Sequence, residues 1–228
     1  MKATRLFVPR LAGASLSGRL VACIGAALGI ALTAVVCGAL PLLLGVTPLL
    51  MAPLGASAVL LFAVPSSPLA QPWSIVGGNI VSAVVGVGIA LIVPYHALAA
   101  GLAVGLAILA MSLARCLHPP GGAVALIAVI GGPAVAASGY AFALVPVALN
   151  SLLLAFAGWL FHRVSGHSYP HRAAIVASAV PDPLPAFHPN AIDLALADLG
   201  EAFDLSRDDL DLLLQRAEYH EARRRGRG

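Results

Sequence analysis

Between Arg19 and Arg163 the chain is a succession of apolar runs punctuated by proline and glycine. The runs are Leu20–Leu40, Pro53–Val64, Trp73–Val93, His96–Ala114, Pro119–Ile130 and Tyr140–Phe161. A helix that crosses the hydrocarbon core needs about 20 residues at 1.5 Å each, and four of the runs reach that length. The runs from Pro53 and Pro119 hold only about 12, roughly 18 Å of helix, enough for part of the crossing. The pattern predicts an all-α membrane protein with six membrane segments in the order long, short, long, twice over.

That order suggests a duplication, and residues at matching places support it. The first long segment of each half carries GxxxG, Gly25/Gly29 and Gly101/Gly105. The short segments read "PLGASAVLL" from Pro53 and "PPGGAVALI" from Pro119, and the third segments carry Asn79 and Asn150. An odd number of segments per repeat inverts the second repeat relative to the first. The predicted divisions are a basic N-terminus over 1–19, repeats over 20–93 and 94–164, a linker over 165–189 and a helical tail over 190–228.

Composition sharpens this picture. The 228 residues are 60% hydrophobic and 10% charged, with a mean hydropathy of +0.94, whereas soluble domains carry about 25% charged residues. Lys2, Arg5, Arg10 and Arg19 precede the first run without an acid, and every acidic residue follows Arg163. The net charge of +3 is therefore no nucleic-acid footprint. Basic residues at both ends of the membrane part, Arg163 and Arg172 at the second, place both termini in the cytoplasm of a bacterial inner membrane. Five segments would set these clusters on opposite faces. The run from Leu20 exceeds a signal-peptide core of ~7–15 residues. Cys23, Cys37 and Cys116 match no metal spacing and read as buried thiols; no metal or cofactor is expected.

The short segments carry the candidate chemistry. Interrupted helices survive in lipid only inside protein or beside a water-filled cavity, and such segments at matching places in two halves point to a transporter's substrate site. Helix N-termini offer free N–H groups and roughly half a positive charge. Pro53, Gly55 and Ser57 on one side and Pro119, Gly121 and Gly122 on the other therefore frame a candidate anion site, with Arg115 and His118 beside it. The membrane part has no acid to hold a cation, which favours an anionic or neutral solute. Bland readings stand beside these. Arg115 also suits a snorkelling span end, and His118 a satisfied loop histidine or a proton carrier. Asn79 and Asn150 suit helix-packing glue or pore-facing donors, and the GxxxG pairs suit packing within the fold or in a homo-oligomer. A catalytic reading lacks a carboxylate pair, a metal cluster or a nucleophile–base pair, so no enzyme is expected.

"RCLHPPGGA", the upstream "PLGASAVLLFAVPSSPLAQPWSIVGGN" and the downstream "HRVSGHSYPHR" together resemble the HPP family of integral membrane proteins, over about Ser17 to Arg172. The family is named for the motif found here as His118, Pro119 and Pro120. The resemblance implies membrane transport of a small inorganic anion, nitrite being the substrate implicated for some members. A passive channel for a neutral solute and a membrane anchor or sensor remain the alternatives. Beyond the proline-rich "PDPLPAFHP", amphipathic helices are expected from Ala191 to Phe203 and after an N-cap at Ser206, with Arg223–Arg227 near lipid headgroups. Many relatives continue into CBS modules, and adenosine-nucleotide regulation is not carried over to this chain.

Overall fold

A computed structural model describes residues 16–44, 50–171 and 209–217. The basic residues before Leu16, Arg172, the proline-rich linker, the helix expected at Ala191–Phe203 and the Arg223–Arg227 cluster lie outside the described residues. Among the described residues the chain is all-helical. Its elements are α1 (Leu16–Leu44), α2 (Pro53–Ala63), α3 (Pro72–Ile92), α4 (His96–Leu113), α5 (Pro119–Ile130), α6 (Pro133–Ser138), α7 (Leu149–Ser165) and α8 (209–217). Four stretches are long and apolar enough to cross a membrane: Leu16–Ala39, Pro72–Ile92, His96–Leu113 and Ala143–Ser165. α2 and α5 are the short apolar pieces between them.

The structure departs from the sequence reading in several places, among them the unexpected short helix α6 and the continuation of α7 to Ser165. α1 begins earlier, at Leu16, and runs past Pro41 to Leu44, although proline within a helix forgoes one backbone hydrogen bond. The last span is broken: a π-helical turn over Ala143–Ala148 precedes α7, with Val145 at φ −133°, ψ 108°. Pro146 is the cause, since its ring drives the preceding residue out of the helical region. Just beyond the break, the side chain of Asn150 donates to the Pro146 carbonyl at 2.8 Å. Cys37 and Cys116 are buried as expected, whereas Cys23 is exposed on α1.

Contacts between elements fix their directions. Gly25 of α1 lies against Phe161 of α7 and Gly29 against Leu154, so these helices run antiparallel. Trp73 Nε1 at the start of α3 donates to the Ala114 carbonyl just beyond α4, 3.2 Å away, so α3 and α4 also oppose each other. α5 runs alongside α3 in the same direction: Gly78 meets Cys116 and His118, and Gly86 meets Ala125 and Ala128. α2 ends beside the end of α7, where His162 Nε2 donates to the Leu61 carbonyl at 2.9 Å.

The segment "PSSPLAQP" is more than a stop between α2 and α3. Ser67 Oγ accepts from the Leu69 N–H at 3.1 Å, and Ser74 Oγ donates to the Pro68 carbonyl at 2.8 Å. Gln71 Nε2 donates to the carbonyls of Pro65 and Ser67 at 3.0 and 2.8 Å. These bonds stitch residues 65–71 into a compact loop at the end of the bundle that holds Arg115 and His118.

Candidate functional site

The two short helices meet through one side-chain pair. His118 stands at the N-cap position of α5 in an extended backbone conformation, yet its ring caps nothing in its own helix. Its Nε2 lies 2.8 Å from Ser57 Oγ on α2, and its Nδ1 lies 2.8 Å from the Leu69 carbonyl. A carbonyl oxygen only accepts, so Nδ1 carries a proton and Nε2 of the neutral ring accepts from Ser57. Both side chains are fully enclosed, at 0% exposure. The sequence reading found no nucleophile–base pair; folding creates a serine and a histidine with that spacing. Enclosure leaves no path by which a reacting group reaches Ser57 in this conformation.

The helix starts are less open than their glycines suggested. Pro119 and Pro120 have no N–H, and the Gly121 N–H donates to the His118 carbonyl at 2.8 Å. On α2, Pro53 has none, while the N–H groups of Leu54 and Gly55 donate to Met51 and Ala52 at 3.0 and 3.1 Å. Neither start presents a bare row of donors, which corrects the expectation of two open N-termini. Gly121 is buried, and a Cβ there would sit 2.5 Å from Ser82 Oγ and 3.0 Å from Met111 Sδ; this glycine admits α3 and α4 closely. Gly122 is half-buried with room beside it, Gly55 is exposed with open space, Pro53 is buried and Pro119 is exposed.

Arg115 is not gathered into the pair. It is exposed and forms the turn that ends α4 in a left-handed conformation, φ 53°. Its N–H donates to the Ser112 carbonyl at 3.2 Å and that of Cys116 to Met111 at 2.9 Å, the hydrogen-bond pattern of a Schellman cap. Glycine usually fills such a position, so an arginine carries a backbone cost of roughly 1–2 kcal/mol.

Other buried polar groups cluster around α3. Asn79, 2% exposed, donates from Nδ2 to Ser151 Oγ on α7 at 3.0 Å. Its Oδ1 is buried with no hydrogen-bond partner among the described residues. One helical turn on, Ser82 Oγ lies 3.3 Å from Met111 Sδ. The sequence reading missed Ser82, Ser151, His162 and the Leu69 carbonyl. A serine or histidine within an apolar helix was the only available signal for the first three. No group of three His, Cys, Asp or Glu side chains at metal-binding distance occurs among the described residues.

Elsewhere, the first GxxxG pair is internal packing, with Gly25 and Gly29 admitting the rings of Phe62 and Phe161. The second is open: a Cβ at Gly101 or Gly105 would meet nothing within 4 Å. An apolar groove of about 510 Å³ between α1 and α7 is lined by residues such as Ile24, Leu28, Leu160 and Val164 and includes none of the expected site residues.

Four apolar spans, two half-length apolar helices and polar side chains buried between them define an α-helical integral membrane protein. Residues 12–170 match the family described as "HPP, transmembrane region", and the chain belongs to that family. It is also similar to two proteins of Dictyostelium discoideum described as transmembrane proteins. One is 45% identical over 112 residues, 47% of this chain and 36% of the relative. The other is 44% identical over 103 residues, 43% of this chain and 36% of the relative. The chain thus spans about a third of the length of these curated relatives. No solved structure matches it.

Proposed function

We propose that this HPP family member is a transporter or channel for a small inorganic anion, nitrite first, and not an enzyme. The bond between Ser57 and His118 carries this reading. It joins the two interrupted helices at a buried polar point, where membrane proteins place substrate pathways at the cost of burying polar groups. Asn79, with an amide oxygen that has no partner among the described residues, extends the polar region along α3. Arg115, exposed in the turn before His118, is the one formal charge between Arg19 and Arg163; its left-handed strain suits a residue kept for its charge. The closed helix starts shift the anion preference away from the helix dipole and onto Arg115 and the lack of acids.

Pairing of elements supports an inverted repeat of three segments each, six in all. Exchanging α1 with α4, α2 with α5 and α3 with α7 turns three neighbour pairs of these six helices into three others, α3–α4 into α1–α7, α3–α5 into α2–α7 and α4–α5 into α1–α2, and leaves α2–α5 and α3–α7 as they are. Both termini are then cytoplasmic in a bacterial inner membrane, and access alternates as one repeat rocks on the other. Gly101 and Gly105, open where Gly25 and Gly29 are filled, form the face for a homo-oligomer.

The closed N-termini keep a second reading in play, a passive pore for a neutral solute. Proteoliposomes separate the two. Nitrite flux that falls at least tenfold in Arg115→Ala, with little swelling in neutral solutes, supports anion transport. Swelling without anion flux selects the pore, and silence in both assays leaves a membrane anchor or sensor.

A further inference from the structure

A continuous run of hydrogen bonds leads from the C-terminal helix to the buried pair. Beyond α7 the chain turns at Gly166, φ 79°, and residues 166–171 fold back over the loop between α2 and α3. Tyr169 donates its hydroxyl to the Ala70 carbonyl at 2.9 Å; burial raises its pKa, keeping the donor proton in place. The His171 N–H donates to Gln71 Oε1 at 2.8 Å. The same Gln71 holds Pro65 and Ser67 through its amide nitrogen. From that loop the Leu69 carbonyl reaches His118, which reaches Ser57.

The far end of this run is α8. Asp209, its first described residue, sits 2.8 Å and 3.0 Å from His171 Nε2 through its two carboxylate oxygens. The two side chains are 20% and 19% exposed, so water reaches the contact. α8 and the strap thus join through a polar contact that exchanges for water more readily than the apolar packing that holds the strap's Tyr169 against Leu54, Leu61 and Leu154.

We propose that α8 is a control element: docked on His171, it fixes the strap and the 65–71 loop, and the loop's Leu69 carbonyl then holds His118 in register with Ser57. Release of α8 lets the loop relax and frees the pair. A signal that moves the tail is thereby read in the membrane part without touching it. Only the consequence for transport rests on the function proposed above, because the coupling itself is measured at the hydrogen bonds.

The test uses the full chain in lipid nanodiscs and reads amide hydrogen exchange together with the ¹⁵N imidazole spectrum. Asp209→Asn keeps the size of the side chain and removes its charge, and Gln71→Ala removes the His171 bond together with the bonds Gln71 makes inside the loop, leaving Tyr169 on Ala70. In both variants exchange across residues 65–71 is expected to rise at least fivefold and the His118 signals to move, while amides of α4 stay unchanged. Faster exchange in α8 with residues 65–71 and His118 unaltered overturns the proposal. A response to Gln71→Ala alone overturns it as well, since the loop then answers to its own Gln71 bonds and not to the tail.

Discussion

The two short helices begin alike in sequence, yet they are held by different kinds of surface. α5 is pressed backbone to backbone on α3: a Cβ at Gly78 would lie 2.6 Å from the Cys116 carbonyl, and one at Gly86 would lie 2.6 Å from that of Ala125. α2 is held by side chains, Phe62 against Gly25 and Gly29 and Leu61 against Gly158. The Phe62 and Phe161 rings meet edge to face, 5.5 Å apart. A backbone contact has no rotamer to yield, whereas a side-chain contact can be remade in a new position. α5 is therefore fixed to α3 and α4, while α2 can shift, with the Ser57–His118 bond as its tie to the fixed half.

The largest effect that tests this contrast is a methyl group placed between α3 and α5. Gly86→Ala must push apart two backbones, and overpacking of this kind costs about 1–3 kcal/mol or more. Its thermal midpoint in detergent is expected to fall furthest, and Gly86→Leu to abolish folded protein. Next comes His118→Leu, which strands the Leu69 carbonyl and leaves the Ser57 hydroxyl the longer bond to the Pro53 carbonyl, 3.4 Å away; an unsatisfied buried group costs about 1–3 kcal/mol, and the same unfolding scan reads the loss. Gly158→Ala meets only the movable Leu61 side chain, and a drop of about 1 kcal/mol or less follows from a small repacking. Equal losses for Gly86→Ala and Gly158→Ala would remove the distinction between the two helices.

Two smaller changes refine the picture. Arg115→Gly relaxes a left-handed residue and is expected to stabilise the fold by roughly 1 kcal/mol, while lowering anion flux because the charge is gone. Gain in stability with loss of flux is a combination that a merely structural arginine does not give. The double change Gly101→Ala and Gly105→Ala leaves the unfolding midpoint within about 0.5 kcal/mol. If the open face of α4 joins protomers, it lowers the particle mass seen by light scattering.

Much of the helical layout was legible because apolar runs and their proline boundaries are local. α5 has the bounds Pro119–Ile130 that the sequence alone suggested, and α2 differs from its expected run by one residue at the end. The break at Pro146 was missed because the run was scored on hydropathy, although the proline itself gave a local signal. Which glycines are filled was not legible at all. Gly25 and Gly101 open the same motif, and only the fold decides that one meets Phe62 and the other nothing. Likewise Ser57 and His118 were each singled out, but their contact spans 61 positions and exists only once α2 and α5 lie side by side. Arg115 was grouped with His118 by sequence proximity, and the tight turn between them separates an exposed side chain from an enclosed one.

Nitrite flux into proteoliposomes containing folded His118→Ala, measured against wild-type protein and protein-free vesicles, bears most directly on transport past the buried pair. Wild-type protein should carry nitrite well above the protein-free background, and the variant should lose at least nine-tenths of that flux while retaining its helical spectrum. Undiminished flux in the folded variant, or none in the wild type, contradicts the assignment of the Ser57–His118 junction to the transport path.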